Sequence, residues 1–372
     1  MRSSPHHSMG IPEKIKEIEE EMRRTQVNKA TERHLGVLKA RLAKLRHQLE
    51  EQTSRGGAAG DGYGVKKDGD ATVVLLGLPS VGKSTLLNRL TGSNSKVGAY
   101  DFTTLTVIPG ILDHKGARVQ VLDIPGIIKG ASEGKGLGKR VLSATRSADL
   151  LLVMLDVFNP DVREMLLDEI RAIGIRPDET MPRVTVRKRS SGGVTVTDLA
   201  GVTHVDEEGV KQVLRGYGMP NAHVTIREDI TYDQLIDVLM KNRVYVPTLT
   251  VVNKIDMVDQ SYLSELEESL RFEFLPISAD NDVNLDQLKD QIFRKLEFIR
   301  VYMRPKGEEP DYDEPMIIRN GATVEDVADK VHRRLKDQLR YTRIWGRSVR
   351  FGGQKVRLTH PPMDEDVITF YS

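Results

Sequence analysis

The chain has 372 residues, 39% of them hydrophobic and 29% charged, and its formal net charge is +1. This length exceeds that of an ordinary single domain, so two to four modules are expected. The chain has no cysteine, which excludes disulfides and thiolate metal sites and favours a cytoplasmic protein. Its longest apolar runs, such as residues 150–155, have the length of a strand. A bilayer span needs roughly 20 apolar residues, so no membrane association is expected.

Two N-terminal segments carry apolar residues at helical spacing. These residues are Ile11, Ile15, Ile18 and Met22 in the first segment and Leu35, Leu38, Leu42, Leu45 and Leu49 in the second. The pattern predicts a helical hairpin over residues 9–55, and a glycine-rich linker follows over residues 56–70. We expect the leucines to pack against each other or against the next domain. The basic face opposite them either faces solvent alone or contacts nucleic acid.

From residue 71 onward, strand-like apolar runs alternate with helical patterns. The runs cover residues 72–76, 119–122, 150–155 and 247–252. This alternation predicts an α/β domain over residues 71–300, with helices on both faces of a mostly parallel sheet.

The spacing inside this domain is too long for a minimal α/β fold. The 126 residues between Gly126 and Asn253 are about twice what two strand–helix units need. Residues 176–240 are therefore predicted to form an inserted α+β subdomain. Within it, the alternating residues 184–186 and 194–196 predict a β-hairpin.

Residues 301–372 are predicted to form a small α+β module that begins with a proline-containing acidic linker. Its pattern predicts a strand over residues 316–318, a helix from Thr323 to about Arg340, and short strands that end near residue 370.

Residues 77–84 match the phosphate-binding pattern G-x-x-x-x-G-K-[ST] between a strand and a helix. The glycines allow backbone N–H groups to surround phosphates, and the helix N-terminus adds its dipole. Lys83 is expected to reach the β- and γ-phosphates, and the Ser84 hydroxyl to bind Mg²⁺. The nucleotide contacts predicted here are Gly77, Leu78, Pro79, Ser80, Val81, Gly82, Lys83, Ser84 and Thr85.

The sequence Asn-Lys-Ile-Asp at residues 253–256 directly follows an apolar strand. The Asp256 carboxylate can accept hydrogen bonds from guanine N1–H and the 2-amino group, which adenine lacks, so GTP or GDP is favoured over an ATPase reading. The Asn253 side chain and the Lys254 stem are expected to hold the base edge and cover its face. A later loop is expected to contact guanine O6 through backbone N–H. The predicted guanine contacts are Asn253, Lys254, Ile255, Asp256, Ser278 and Ala279.

Two further segments complete the predicted site. Asp123 ends an apolar strand and is expected to hold Mg²⁺ through water, while the Gly126 N–H can reach the γ-phosphate. A Thr hydroxyl in residues 102–106 is expected to join the Mg²⁺ shell when the γ-phosphate is present. The contacts predicted from these segments are Phe102, Thr103, Thr104, Leu105, Thr106, Asp123, Ile124, Pro125 and Gly126.

Ile127 follows Gly126, where Ras-like GTPases carry a glutamine that orients the attacking water. Isoleucine cannot orient water, so unassisted hydrolysis is expected to be slow. Four glycines lie between Gly130 and Gly138, and this stretch is either a second switch or a plain flexible loop.

In this order the motifs resemble the Obg class of GTPases. Together with residues 24–31 (Arg-Thr-Gln-Val-Asn-Lys-Ala-Thr), the insert and the C-terminal module, they resemble the developmentally regulated GTP-binding protein family over nearly the whole chain after residue 10. The resemblance implies a helix-turn-helix, a G domain, an insert similar to the second domain of a small-subunit ribosomal protein, and a C-terminal TGS domain of β-grasp type. The cysteine-free, charged composition is compatible with an archaeal source.

The resemblance also implies residue roles and partners. Ser84 and Thr104 are the implied Mg²⁺ ligands, with Asp123 acting through water, and Lys83, Thr104 and Gly126 are the implied catalytic residues. Ribosomes or ribosomal RNA are the implied partner, together with a regulatory protein in eukaryotic relatives. Relatives that use K⁺ hold it with an Asn two places before the second P-loop glycine. Ser80 stands there, so K⁺ stimulation is compatible with the sequence but is not implied by it.

Two functions are compatible with these features. The first is a monomeric, Mg²⁺-dependent GTPase with slow turnover that acts as a switch linked to translation. The second is a GTP-gated RNA-binding module in which hydrolysis is incidental. The second is motivated by residues 330–357, which hold ten Lys or Arg and one acid.

Overall fold

A computed structural model describes residues 10–55, 68–92, 100–102, 105–123, 145–332 and 334–371. The helices are α1 (Ile11–Arg24), α2 (Glu32–Arg55), α3 (Lys83–Thr91), α4 (Arg163–Ala172), α5 (Glu207–Gly216), α6 (Tyr232–Met240), α7 (Gln260–Ser269), α8 (Leu285–Lys295), α9 (Val324–Val331) and α10 (Leu335–Gln338). No helix of these residues is both long enough and apolar enough to span a membrane.

The strands lie within the same residues. They are β1 (Ala71–Leu76), β2 (Tyr100–Phe102), β3 (Leu105–His114), β4 (Ala117–Asp123), β5 (Leu150–Asp156), β6 (Ile175–Pro177), β7 (Val184–Lys188), β8 (Val194–Asp198), β9 (Ala222–Ile226), β10 (Val244–Val246), β11 (Thr248–Asn253), β12 (Leu275–Pro276), β13 (Phe298–Met303), β14 (Met316–Arg319), β15 (Tyr341–Trp345), β16 (Gln354–Val356) and β17 (Asp366–Tyr371).

The chain divides into two compact units, each built from two stretches of sequence. One unit comprises Met1–Gly62 and Thr180–Tyr245, and the other comprises Tyr63–Glu179 and Val246–Ser372. The predicted helical hairpin and the predicted insert therefore belong to the same unit, although more than a hundred residues separate them in sequence.

In the first unit, α1 packs against α2, and α2 packs against α5 and α6. The turn between α1 and α2 is held by Asn28, whose Oδ1 accepts hydrogen bonds from the N–H groups of Ala30 and Thr31, both at 3.0 Å. Ala40 of α2 lies in the same apolar cluster as Val213 and Leu235 of the insert. The leucines of α2 are thus packing residues, as the 2% exposure of Leu38 shows.

The sheet of the insert differs from the predicted hairpin. Its strand order is β7-β9-β8, with β9 antiparallel to β7 and parallel to β8. The hairpin prediction was wrong because β9 takes the central place, where its alternate residues Ala222, Val224 and Ile226 are fully buried. A glycine pair between two alternating segments is a local signal, and it does not reveal a later strand that enters between them.

The second unit contains a seven-stranded sheet in the order β12-β11-β5-β1-β4-β3-β2. Strands β12, β11, β5, β1 and β4 run parallel, and β3 and β2 form an antiparallel edge. Strands β1, β5 and β11 are buried along their whole length, as expected for central parallel strands covered by helices. Their carboxyl ends share one edge of the sheet, which is where ligands bind in folds of this kind.

The C-terminal module is a five-stranded sheet in the order β14-β13-β17-β15-β16. Helix α9 covers one face, where Val324 and Val327 pack with Ile344 and Ile368. Thr323 caps α9 as predicted, and its side chain accepts a hydrogen bond from the Asp326 N–H. The helix ends at Val331 rather than near residue 340, because the chain becomes extended at His332 and resumes as α10.

Candidate functional site

The loop between β1 and α3 has two glycines that no other residue could replace without strain. A Cβ atom at Gly77 would lie 2.4 Å from the Met154 carbonyl oxygen, so a side chain there would collide with strand β5. Gly82 has φ +100°, and a Cβ atom there would lie 2.5 Å from Asn253 Nδ2. Gly77 is therefore required by the close approach of a backbone carbonyl, and Gly82 by its positive φ and the nearby Asn253 side chain.

Lys83 is the first residue of α3, and its ammonium group lies within the loop. Nζ donates to the carbonyl oxygens of Gly77 at 3.1 Å and Leu78 at 2.9 Å. Burial lowers the pKa of Lys83, and the negative charge of Asp123 acts in the opposite direction. The loop thus holds a partly desolvated cation at the N-terminus of a helix, where anions are favoured.

Ser84 and Asp123 meet beside this cation. Ser84 Oγ donates to Asp123 Oδ2 at 2.9 Å. Asp123 is 4% exposed, and its other oxygen, Oδ1, is buried without a hydrogen-bond partner among the described residues. A hydroxyl oxygen beside a carboxylate with a free lone pair is the oxygen donor set that Mg²⁺ prefers. The residues present therefore fit this ion.

Asn253, at the end of β11, uses its side-chain amide inside the protein. Nδ2 donates to the Val81 carbonyl oxygen at 2.9 Å, and Oδ1 accepts from the Ala279 N–H at 2.9 Å. The residue is 2% exposed. The side chain thereby joins the phosphate loop to the loop around Ala279, and its contact with the base edge stays a prediction.

Lys254 and Asp256 lie on the outer side of this junction. Lys254 adopts φ +68°, which turns the chain sharply after the strand, and its Nζ lies 3.5 Å from Asp156 Oδ2. Asp256 follows in a short 3₁₀ turn, Ile255–Met257, and is exposed. Its carboxylate is accordingly accessible to a ligand.

The loop of Ser278 and Ala279 is buried and tied to its neighbours. Ser278 Oγ accepts from the Asn281 N–H at 3.2 Å, and Ile255 N–H donates to the Ile277 carbonyl oxygen at 3.3 Å. Arg89 of α3 donates to the Asp280 carbonyl oxygen at 2.9 Å. The helix that follows the phosphate loop is thereby linked to the loop expected to face the base.

Comparison with known proteins agrees with this geometry. A family model described as a 50S ribosome-binding GTPase matches residues 72–189, a model of the C-terminal region of that domain matches residues 191–298, and the TGS domain matches residues 299–372. An uncharacterised GTP-binding protein of Methanocaldococcus jannaschii is 50% identical, over 97% of this chain and 93% of the relative.

Two relatives carry a more informative name. Developmentally-regulated G-protein 3 of Arabidopsis thaliana is 45% identical, over 96% of this chain and 98% of the relative. Developmentally-regulated GTP-binding protein 2 of Bos taurus is 43% identical, over 97% of this chain and 99% of the relative. The chain belongs to the developmentally regulated GTP-binding protein family.

As a member of this family, the chain is a GTP-binding protein with a P-loop GTPase domain and a C-terminal TGS domain. Among solved structures, the YchF GTPase of Schizosaccharomyces pombe aligns with 84% of this chain and 100% of its own, at 14% identity and a TM-score of 0.47. That likeness is too slight to carry any argument here.

Several residues that the sequence predicts for the nucleotide site of this chain lie outside the residues that the structure describes. They are Thr103, Thr104, Ile124, Pro125, Gly126, Ile127 and the stretch 130–138. Phe102 ends β2, and Leu105 and Thr106 begin β3. The remaining predicted residues, Pro79, Ser80 and Thr85 among them, lie in the P-loop and the first turn of α3, with Ser80 at φ +66°.

Sequence reasoning missed Asp156, which ends β5 between β1 and β11. Its Oδ1 accepts from the N–H groups of Phe158 and Asn159, both at 3.0 Å, while Oδ2 faces Lys254. A signal was present, since Asp123, Asp156 and Asn253 all end apolar parallel strands. Such ends meet at one edge of a sheet.

Proposed function

We propose that this chain is a Mg²⁺-dependent GTPase with slow intrinsic turnover, acting as a nucleotide-dependent switch on the ribosome. The observation that carries the enzymatic part is the pair formed by Ser84 Oγ and Asp123, whose Oδ1 is buried without a described partner. Burying an unpaired carboxylate oxygen is costly. Asp123 Oδ1 would gain a partner if Ser84 and Asp123 held a cation or its bound water at this position.

Each residue of the site has a distinct task in this proposal. Lys83 keeps its proton and moves from the carbonyl oxygens of its own loop to the β- and γ-phosphates. Ser84 supplies a hydroxyl ligand and Asp123 orients bound water, while Thr104 supplies the second hydroxyl. Held by these residues, Mg²⁺ would supply positive charge next to the phosphate oxygens. The Gly126 N–H donates to the γ-phosphate.

Selection of guanine is assigned to Asp256. Its exposed carboxylate accepts two hydrogen bonds that adenine cannot offer, and the Lys254 stem covers the base while Asp156 holds its ammonium group. The Ser278 and Ala279 N–H groups donate to the Val283 carbonyl oxygen and to Asn253 Oδ1, so a contact of either group with guanine O6 requires it to give up that bond. Asn253 holds the P-loop and the Ala279 loop together beside the base.

Slow turnover follows from Ile127, which cannot orient an attacking water. The GTP-bound form therefore persists until a partner completes the site. Potassium stimulation finds no support, because Ser80 offers a hydroxyl where K⁺-dependent relatives offer an amide oxygen.

The ribosomal role is supported by the family model that matches residues 72–189, whose description is a ribosome-binding GTPase. Co-sedimentation with purified ribosomes tests it, comparing GDP with a non-hydrolysable GTP analogue. The protein should pellet with ribosomes in one nucleotide state at least several-fold more than in the other. Equal sedimentation in both states would contradict the switch, and turnover equal to that of Lys83→Ala with ribosomes present would contradict the GTPase.

The second candidate, a GTP-gated RNA-binding module in which hydrolysis is incidental, is favoured by one specific observation. Residues 330–357 hold ten Lys or Arg but a single acid, so few local carboxylates can pair with these cations. Five of the cations form no salt bridge with any described residue, namely Arg340, Arg343, Arg350, Lys355 and Arg357. Lys and Arg side chains that are not paired with carboxylates can bind the phosphate groups of a nucleic acid. A Lys83→Ala variant that binds RNA but has lost the nucleotide dependence would favour this reading.

A further inference from the structure

The C-terminal sheet has a second face, opposite the one covered by α9. Cross-strand pairing places Tyr341 opposite Tyr371 and Arg343 opposite Thr369 on β15 and β17, and Arg343 opposite Lys355 on β16. Paired residues project to the same side of a sheet, and alternate residues share a face. Tyr341, Arg343, Lys355 and Tyr371 therefore share this second face, which we call the tyrosine face.

The two tyrosines of this face form a stacked pair. Their ring centroids are 4.5 Å apart and the ring planes are inclined by 15°. Lys355 Nζ lies 4.6 Å from the centroid of Tyr341, and because Tyr371 occupies one side of that ring, Lys355 lies over the other. The ring of Tyr371 makes no further aromatic contact with a described residue.

Arg343 lies beside the pair. Its guanidinium carbon is 5.8 Å from the centroids of both tyrosine rings. Arg343 and Lys355 are both exposed, and neither forms a salt bridge with any residue that the structure describes. The face thus combines half-buried flat rings with two positive charges that form no ion pair with a carboxylate of the described residues.

The other end of the same face is already covered. Phe298 and Ile317, which face the same side through β13 and β14, belong to the main core of the GTPase domain. Trp345 is also occupied, since the Arg304 guanidinium lies 4.9 Å from its ring and Gly353 packs against it. Among the described residues, those at the tyrosine end of the sheet make neither of these two contacts.

We propose that the tyrosine face binds an unpaired strand of RNA, with a base stacked on Tyr371 and phosphates held by Arg343 and Lys355. Aromatic rings take any base because every base has a π-face, and neighbouring cations follow the strand's phosphates. In double-stranded RNA the bases are already stacked on each other, so this arrangement favours single strands. The inference rests on the proposed ribosomal role for its biological setting, but its chemistry depends on this face alone.

An acidic peptide is the competing occupant. It would pair with Arg343 and Lys355 through carboxylates, but a run of acidic side chains offers no flat ring to stack on Tyr371. The stacked tyrosines thus favour a partner that is both aromatic and anionic, which is the composition of a nucleic acid strand.

The test is fluorescence anisotropy of the full-length protein with a labelled oligouridine of about 12 nucleotides, a length that covers a typical single-strand site. Tyr371→Leu removes the ring but keeps an apolar side chain, and it should weaken binding about tenfold. Tyr371→Phe keeps the ring and should bind within about twofold of the unchanged protein. Equal affinity of the Leu and Phe variants would overturn the proposal.

The phosphate contacts are tested by the salt dependence of the same binding. The double variant Arg343→Gln with Lys355→Gln should lower the slope of log affinity against log salt by about 1.4, at about 0.7 per phosphate contact. Arg294→Gln with Lys295→Gln removes the same charge from exposed positions on α8 and should leave the slope unchanged. Equal effects of the two pairs would overturn the proposal even if Tyr371→Leu misfolds.

Two further measurements separate this inference from the ribosomal role. Binding of an RNA duplex as tightly as the single strand, or of oligoglutamate in place of RNA, would overturn the tyrosine-face proposal. Ribosome co-sedimentation that is unaffected by Tyr371→Leu would leave the ribosomal role standing and reject the face as its contact. If oligouridine binding depends on the Tyr371 ring but the protein does not co-sediment with ribosomes, the tyrosine-face proposal stands and the ribosomal role is rejected.

Discussion

Asn253 joins two loops through a single amide group. Its donor and acceptor are both used inside the protein, on the Val81 carbonyl oxygen and the Ala279 N–H. Asn253, the first residue of the Asn-Lys-Ile-Asp pattern, thus holds the P-loop and the Ala279 loop in position relative to each other. Asp256 and Lys254, two neighbours in the same pattern, remain on the accessible side.

Replacing Asn253 by Ala should reduce both stability and nucleotide affinity. Two buried backbone groups lose their partners, which costs about 2–4 kcal/mol of unfolding free energy. Denaturant titration measures the loss, and a fluorescent GDP analogue measures affinity. Lys254→Ala is the matched control, since its pair with Asp156 at 3.5 Å is only partly buried and should contribute less than about 1 kcal/mol. Equal destabilisation by both changes would contradict the role given to Asn253.

Ser84→Ala should reduce the contribution of Mg²⁺ to nucleotide binding. The hydroxyl beside Asp123 Oδ2 is lost, and nucleotide affinity in Mg²⁺ should fall about tenfold or more. With a chelator present, the variant and the unchanged protein should bind equally. Asn88→Ala, on an exposed position of the same helix, should match the unchanged protein in both conditions. An equal loss with and without Mg²⁺ would argue against a metal ligand.

At the level of secondary-structure elements, α2 depends on one close approach. Gly36 lies so near Tyr232 of α6 that a Cβ atom would be 2.3 Å from the ring. Helix α2 therefore packs tightly on the insert at this point. The aromatic ring that it contacts also reaches α5, where a Cβ atom at Gly209 would lie 1.9 Å from the Tyr232 hydroxyl.

Two Gly→Ala changes should have opposite effects on stability. Gly36→Ala forces Tyr232 to move and should destabilise the first unit by about 1–3 kcal/mol. Gly216→Ala, at the end of α5, meets nothing within 4 Å, and replacing a helical glycine by alanine should stabilise by about 0.5–1 kcal/mol. Thermal unfolding followed by circular dichroism tests the signs. Stabilisation by Gly36→Ala would show that there is room for a methyl group between α2 and the Tyr232 ring.

The turn between β3 and β4 is attached to α8 by one carboxylate. Asp290 Oδ1 lies 2.7 Å from both Lys115 Nζ and His114 Nε2. Hydrogen bonds from Lys115 and then His114 lower the pKa of Asp290 to about 2. Because the pKa in the folded state is below the unfolded value, this contribution to stability is complete above about pH 4 and is lost as pH falls towards 2.

Asp290→Asn should therefore flatten the acid dependence of stability. The unchanged protein should lose more unfolding free energy than the variant between about pH 5 and pH 2.5. Urea unfolding midpoints at a series of pH values measure the difference. Parallel profiles for the two proteins would show that the exposed pair is fully screened by solvent.

At the scale of the whole molecule, each unit has its own core. The second unit also holds the C-terminal module, because Phe298 and Ile317 lie in the GTPase-domain core. Two ion pairs reinforce this attachment, with Arg319 2.5 Å from Asp149 and Lys330 2.8 Å from Asp70. The module therefore belongs structurally with the nucleotide site.

Calorimetry should resolve two unfolding transitions, because the cores are separate. Saturating GDP with Mg²⁺ should raise the transition temperature only of the unit that holds the P-loop. The unfolding free energy of that unit should rise by about 2.7 kcal/mol at a ligand concentration a hundredfold above Kd. Gly36→Ala should shift only the other transition. A single transition that moves as a whole under either change would contradict independent units.

The sequence predicted the local parts of this molecule well and the distant parts poorly. The P-loop, the Thr323 cap and the apolar strands are local signals, and the structure has them. The central position of β9, the union of α2 with the insert, and the internal role of Asn253 all depend on contacts between distant segments. Periodicity and spacing do not encode such contacts.

The two-part construction of the first unit has a consequence for biosynthesis. Helix α2 ends at Arg55, and the stretch of chain that completes its unit ends at Tyr245. The ribosome must add residues 56–245, about 190 in all, before that unit is complete, which takes about 10–40 s at the usual elongation rates. During that interval the apolar side of the nascent hairpin is without its permanent cover. We expect newly made chains to need chaperone protection at this stage more than the finished protein ever does.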